Sequence, residues 1–218
     1  MALQEFELVF PEPAPLPERV SAFLAEADRR IDQLFETELN KRTPKFIPSD
    51  AELFFHGLQH ITDEGLPLGR VFCEWGSGFG VATGLAALLG YDAYGVEIEP
   101  SLVDASRALA SHQNIDITIL EHDYMPEGFE CYDGVGGAEL VVPEEFTYGR
   151  DDIGSSARYD GMEPSLTEVD VFYKFPWPGD QEFTQEFFDA VAGDGAILLS
   201  YHGDKDLCAY RKIAEEFD

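Results

Sequence analysis

Apolar residues along the chain follow two rhythms that change near Gly69. Before it, Val20, Phe23, Leu24, Ala27, Ile31, Leu34 and Phe35 recur every three or four residues, which puts one stripe on a helix from Glu18 to about Leu39. A break at Lys41-Arg42-Thr43-Pro44 follows. Ser49-Asp50-Ala51-Glu52 then reads as a capping box opening a second helix that carries Leu53, Phe54, Leu58 and Ile61. Ahead of both, Pro11, Pro13, Pro15 and Pro17 forbid a helix and predict an extended arm.

After Gly69 short apolar runs alternate with helical segments. The runs Val71 to Glu74, Ala93 to Ile98, Ile117 to Leu120, Val169 to Phe175 and Ala196 to Tyr201 predict five strands. Helices are predicted at Val81 to Leu89, closed by Gly90, at Ser101 to Ser111, opened by Pro100, and at Phe183 to Val191. Leu207 to Phe217 reads as a closing helix. Strands separated by helices require right-handed parallel crossovers, so the predicted class is α/β, a doubly wound, mainly parallel sheet with helices on both faces. Residues 1–66 then form an arm and helices packed on the core, and residues 67–218 the α/β domain.

Residues 126–168 break this rhythm. They separate the third and fourth strands by more than a crossover needs, and eleven of them are acidic against two basic ones, Arg150 and Arg158. They read as an inserted acidic loop at the sheet edge where ligands bind, in the manner of a lid.

Charge narrows the partners. Across 218 residues, 43 acidic and 14 basic side chains give a formal charge of −29. That field repels phosphate backbones and offers few cations to neutralise them, so no nucleic-acid partner is expected; it would attract a cationic substrate, but it reads first as keeping the protein soluble or suited to a salty cytoplasm. No apolar run is long enough for a membrane span and no secretory signal opens the chain, which predicts a cytoplasmic protein with no membrane partner. Cys73, Cys131 and Cys208 lie far apart without C-x-x-C spacing, indicating neither a disulfide framework nor a zinc site. His56 and His60 stand four apart on the second helix without a third ligand, so no metal is expected.

The chemistry centres on Glu74-Trp75-Gly76-Ser77-Gly78-Phe79-Gly80, between the first predicted strand of the α/β part and its helix. A glycine turn there lets backbone approach a ligand closely. A dinucleotide fingerprint would place its third glycine at Val81, so that fit fails. A carboxylate beside the loop would repel a pyrophosphate and attract an ammonium or sulfonium.

The stretch resembles motif I of the class I, seven-strand S-adenosylmethionine-dependent methyltransferases. The resemblance implies S-adenosylmethionine as cofactor, Glu97 in Tyr94-Gly95-Val96-Glu97-Ile98-Glu99 as ribose ligand, Ile98 against the adenine, and Asp123 on the adenine amino group with Tyr124 beside it. Phe46-Ile47-Pro48-Ser49 resembles the segment that closes over the methionine end in relatives, which adds Ser49 to Glu74, Gly76, Ser77, Gly78 and Gly80 as cofactor-binding residues. The likeness covers about residues 46–203. Most of the family ends in a hairpin forming strands six and seven. Here the chain reads as stopping after a fifth strand and a helix, so either the sheet is trimmed to five strands, or an early element fills its edge, or a homodimer covers it.

Substrate groups should follow the fourth and fifth strands. Phe175-Pro176-Trp177 stands where amino-methylating relatives carry Asn/Asp-Pro-Pro-Tyr/Phe, with Phe175 removing the side-chain acceptor, so Pro176 and Trp177 are implied in catalysis. Tyr201 and His202 are further candidates, His202 as a base. The reading that results is a methyltransferase acting on a small molecule or protein, including an amine or lysine. Its alternatives are an aminopropyltransferase resembling spermidine synthase and a non-catalytic adenosylmethionine-binding protein.

Overall fold

The computed structural model describes residues 3–9, 15–36, 47–126, 129–134, 137–141 and 157–214. In chain order the elements are β1 (Leu3–Phe6), α1 (Glu18–Glu36), α2 (Ala51–Asp63), β2 (Val71–Trp75), α3 (Val81–Leu88), β3 (Asp92–Glu97), α4 (Pro100–Gln113), β4 (Thr118–Glu121), β5 (Glu130–Gly134), β6 (Gly137–Val141), β7 (Val171–Lys174), α5 (Gln181–Val191), β8 (Ile197–Gly203) and β9 (Asp206–Lys212). Seven strands form one sheet in the order β1-β9-β8-β7-β2-β3-β4, and β5 pairs β6 apart from it. From β4 to β8 the pairings are parallel, and β9 runs against both β8 and β1. The doubly wound α/β architecture expected from the sequence is present.

The predicted closing helix is a strand. Leu207 and Ala209 face one core and Cys208 and Tyr210 the other, so a strand covered on both faces reads as an unbroken apolar run without helical period. Asp204 and Lys205 reverse the chain between β8 and β9 with φ of 48° and 65°, the paired left-handed conformation of a tight hairpin. Lysine seldom marks such a turn, which is why the hairpin signal was weak. β9 and the arm's β1 bring the sheet to seven strands, so it is not trimmed to five: an early element fills the edge, with Leu3 paired to Lys212 and Phe6 to Ala209.

Elsewhere the elements follow local chemistry. α2 starts one residue later than the expected box, because the Asp50 carboxylate accepts the Leu53 N–H at 3.0 Å and caps the helix in place of Ser49. Pro100 opens α4, and Asn114 ends it in the left-handed region. The segment read as a loop holds the β5–β6 hairpin, and after it Ala157, Tyr159, Met162 and Leu166 are buried. Its middle, residues 142–156, lies outside the described residues, as do residues 10–14, 37–46 and 215–218, where Pro11, Pro13, the end of the expected first helix, Phe46 and the end of the expected last helix fall.

Two cores flank the sheet. On one face Phe23 of α1, Phe54 and Leu58 of α2 and Leu85 of α3 pack on Phe72, Tyr173 and Leu199. On the other, Phe187 and Phe188 of α5 pack with Tyr159 and Met162 on Trp75 and Phe172. Trp75 lies 4.7 Å from the ring centroids of both Phe172 and Phe187, contacts that each add about 0.5–1.5 kcal/mol beyond area burial. The carboxyl ends of β2, β3, β4, β7 and β8 therefore form one rigid edge between two packed layers.

Candidate functional site

β2 leaves the sheet at Trp75 and turns through the glycine loop into α3. Gly76, Gly78 and Gly80 have φ of 73°, 53° and 67°, the region that costs other residues about 1–2 kcal/mol each. Gly80 is doubly constrained, since a Cβ there would sit 2.1 Å from Ser106 Oγ on α4.

Gly80 is also the N-cap of α3 and has no side chain with which to cap it. Glu74 does so from the strand. Its Oε2 accepts the Thr83 N–H at 2.9 Å and the Thr83 hydroxyl at 2.6 Å. The carboxylate ahead of the loop thus serves the positive end of a helix dipole. It is only 6% exposed, and burial pushes its carboxyl up to about 8 against the pull of the Thr83 bonds, with the neighbouring Glu97 adding to the rise.

Glu97, at the end of β3, ties the loop down. Its Oε2 accepts the Gly78 N–H at 2.8 Å and its Oε1 the Glu99 N–H at 2.9 Å. An ionised carboxylate has about four acceptor positions, so capacity remains for hydroxyl donors. Beside it Ile98 is 66% exposed, a bare apolar side chain on an otherwise polar turn. Asp123, beyond β4, is exposed and accepts the Met125 N–H at 2.9 Å. Tyr124 turns inward against Trp75 and Phe187.

The structure thus gathers the glycine loop, Glu97, Ile98, Asp123 and Tyr124 at the ends of three adjacent strands. Ser49, just before α2, neighbours the buried hydroxyl of Tyr173. That hydroxyl and Ser77 Oγ have no hydrogen-bond partner among the described residues. Pro176 is buried and Trp177 is 46% exposed just past β7, so the tryptophan is not a core residue. Tyr201 and His202 do not converge: Tyr201 packs in the first core with its ring 4.9 Å from Phe175, while His202 pairs with Ser200 and approaches Cys208, which packs on the second core.

Sequence reasoning missed Lys174, the last residue of β7. It is 8% exposed, and its Nζ lies 3.6 Å from the centre of the Tyr124 ring. Burial pulls its ammonium down to about 8, opposed by the charges of Asp180, Asp123 and Glu97. A lysine inside an apolar strand run was the available signal. Below pH 8 this ammonium is held charged at a cost that the unfolded chain, titrating near 10.5, does not bear. Lys174→Met is therefore expected to raise the melting temperature at pH 7 by about 2–6 °C. The gain should shrink as pH rises from about 8 toward 10.5, and scanning calorimetry across that range checks both the sign and the window.

The fold is that of the class I, Rossmann-like methyltransferases. Among solved structures the chain is similar to an RNA methyltransferase from Salinibacter ruber in complex with S-adenosyl-L-homocysteine, at 15% identity and a TM-score of 0.50, with 79% of this chain and 97% of that one covered. It is also similar to a 16S rRNA N2 G1207 methyltransferase of T. thermophilus in complex with AdoMet and guanosine, at 12% identity, a TM-score of 0.49 and coverage of 78% and 44%. A third is an S-adenosylmethionine-dependent methyltransferase from Clostridium acetobutylicum, at 9% identity, a TM-score of 0.46 and coverage of 87% and 70%. No protein-family model and no curated protein matches the sequence. The Salinibacter ruber neighbour is named for RNA, whereas the charge of this chain led to the expectation of no nucleic-acid partner. No helix among the described residues is long and apolar enough to cross a membrane.

Proposed function

We propose that the chain is an S-adenosylmethionine-dependent methyltransferase acting on a small molecule or a protein. The observation that carries this reading is the row formed by the Glu97 carboxylate, the bare Ile98 side chain and Asp123 beside the glycine loop. The donor set fits a nucleoside. On this reading Glu97 accepts from the ribose hydroxyls, Ile98 packs on the adenine, and Asp123 takes the adenine amino group with Tyr124 behind it. The backbone of Gly76, Ser77, Gly78 and Gly80, with Ser49, borders the methionine end, and Glu74 lies under it, where a cation would draw it into its charged form. Bound there, the cofactor supplies an activated methyl carbon, and the protein's work is to orient a nucleophile and exclude water. Pro176 and Trp177 at the end of β7, with Tyr201, offer the apolar wall for that nucleophile.

The −29 charge leaves RNA outside this proposal. The buried Lys174 ammonium disfavours a diamine at the same edge, and with it the aminopropyltransferase alternative.

Calorimetry tests the cofactor. At pH 7 Glu74 is mainly protonated, and a sulfonium brought near it favours the charged form, so S-adenosylmethionine binding should release protons. The release should be larger than for the uncharged thioether S-adenosylhomocysteine and fade above pH 8. Heats measured in buffers of different ionisation enthalpy give the proton count, and absence of binding by either nucleoside overturns the reading. A radiolabelled methyl-transfer screen over amine, acid, protein and RNA pools then tests the substrate, and label entering RNA alone refutes that part.

A further inference from the structure

The β8–β9 hairpin carries a second constellation that methyl transfer does not use. Alternate residues of a strand share a face, which puts Ser200 and His202 on β8 beside Asp206 and Cys208 on β9, with Ser200 directly opposite Cys208. Three potential ligand atoms converge there. His202 Nδ1 lies 3.7 Å from Cys208 Sγ and 3.7 Å from Asp206 Oδ2, and Cys208 Sγ lies 3.6 Å from Asp206 Oδ1. The three ligand atoms all fall within 4.8 Å of one another.

Those separations are informative. With Zn–S about 2.3 Å and Zn–N or Zn–O about 2.0–2.1 Å, the edges of a tetrahedron around zinc come to about 3.3–3.6 Å. The His202–Cys208 edge needs to contract only by tenths of an ångström, while the two Asp206 distances run to different oxygens, so one carboxylate oxygen meets both partners after a turn of that exposed side chain. The other ring nitrogen of His202, Nε2, pairs with Ser200 Oγ at 3.0 Å. A partner on the far nitrogen fixes the ring plane and keeps the lone pair of Nδ1 directed at the cluster, the arrangement that metal-binding histidines need. Ser200 is itself buried, so the support is rigid. Asp206 and Cys208 open into a cavity of about 400 Å³ that Glu5 and Glu7 of the N-terminal segment also line, adding negative charge on the approach.

We infer that His202, Asp206 and Cys208 form a three-ligand site for a zinc-like divalent cation, with its fourth position open to solvent. The mixed nitrogen, oxygen and thiolate set excludes magnesium and calcium, which take oxygen donors. Without metal the thiol donates its proton to Asp206. Binding replaces that proton with the cation, releases it to solvent, and pins the two strands across their turn. The spacing His-x-x-x-Asp-x-Cys is not a zinc signature in sequence. The tight turn at Asp204-Lys205 is what brings the ends together.

Cobalt(II) is the probe, added at one equivalent to the full chain with excess magnesium to occupy the weak carboxylate sites. The expected result is a thiolate-to-cobalt charge-transfer band in the wild type and in Cys131→Ser, and none in Cys208→Ser. Ser200→Ala, which leaves all three ligands in place, should weaken cobalt binding by about 10–100-fold. If Cys208→Ser loses its far-ultraviolet circular dichroism, His202→Leu replaces it and should lose at least tenfold in cobalt affinity. A band that survives in Cys208→Ser, disappears in Cys131→Ser, or is absent from the wild type overturns the site, as does unchanged affinity in His202→Leu.

Discussion

Glu97→Gln is expected to weaken S-adenosylhomocysteine binding by about 100-fold, or about 2–4 kcal/mol, while leaving the fold intact. Each hydrogen bond to a charged acceptor contributes about 1.5–3 kcal/mol, and the proposed site gives Glu97 two ribose hydroxyls. The amide oxygen of Gln can still accept one of the Gly78 and Glu99 N–H bonds that Glu97 holds now, so the loop keeps part of its tether. Each 1.4 kcal/mol is a factor of ten in affinity, which places the loss well within reach of calorimetry. An affinity changed by less than roughly threefold, with circular dichroism unaltered, would mean that the ribose does not lie on Glu97. The nucleoside product is the better titrant because it does not turn over.

Gly80→Ala is expected to destabilise the protein by about 3 kcal/mol in urea unfolding. About 1–2 kcal/mol comes from holding a side chain at φ 67°, and the rest from a methyl group driven to 2.1 Å from Ser106 Oγ in close-packed surroundings. The Ser106 hydroxyl is buried without a hydrogen-bond partner among the described residues, so Ser106→Ala alone should change stability little. In the double variant the Oγ part of the clash should be recovered while the close approach to the residue 106 Cβ and the backbone part are retained, a coupling of about 1 kcal/mol in a double-mutant cycle. Strict additivity would show that the two positions do not meet and that the loop–α4 contact is misplaced.

The parallel part of the fold was legible because its strands and helices differ in period and because Pro100 and the glycine turn carry their own punctuation. β9 was not, since a strand buried on both faces has no alternation to read and its turn is built on Asp204 and Lys205. β1 was hidden for another reason: a four-residue edge strand becomes one only through its distant partner, and the prolines after it dominate the local pattern. In the site, Glu97, Asp123 and Trp177 are singled out by the family resemblance, and the structure puts them at or just past strand ends. The use of Glu74 as a cap for α3 could not be read, because it depends on Thr83 folding back to within 3 Å. Lys174 could be noticed as a lysine inside an apolar run, but its lowered basicity comes from burial beside Tyr124 and is not legible in the sequence.

The pairing of Leu3 with Lys212 also orders events in time. Within this sequence β1 is made well before β9, its neighbour in the sheet among the described residues, so the nascent chain carries an unmated strand until β9 follows. Glu5 and Glu7 keep that waiting segment charged, which discourages it from joining another copy's edge before its own partner arrives.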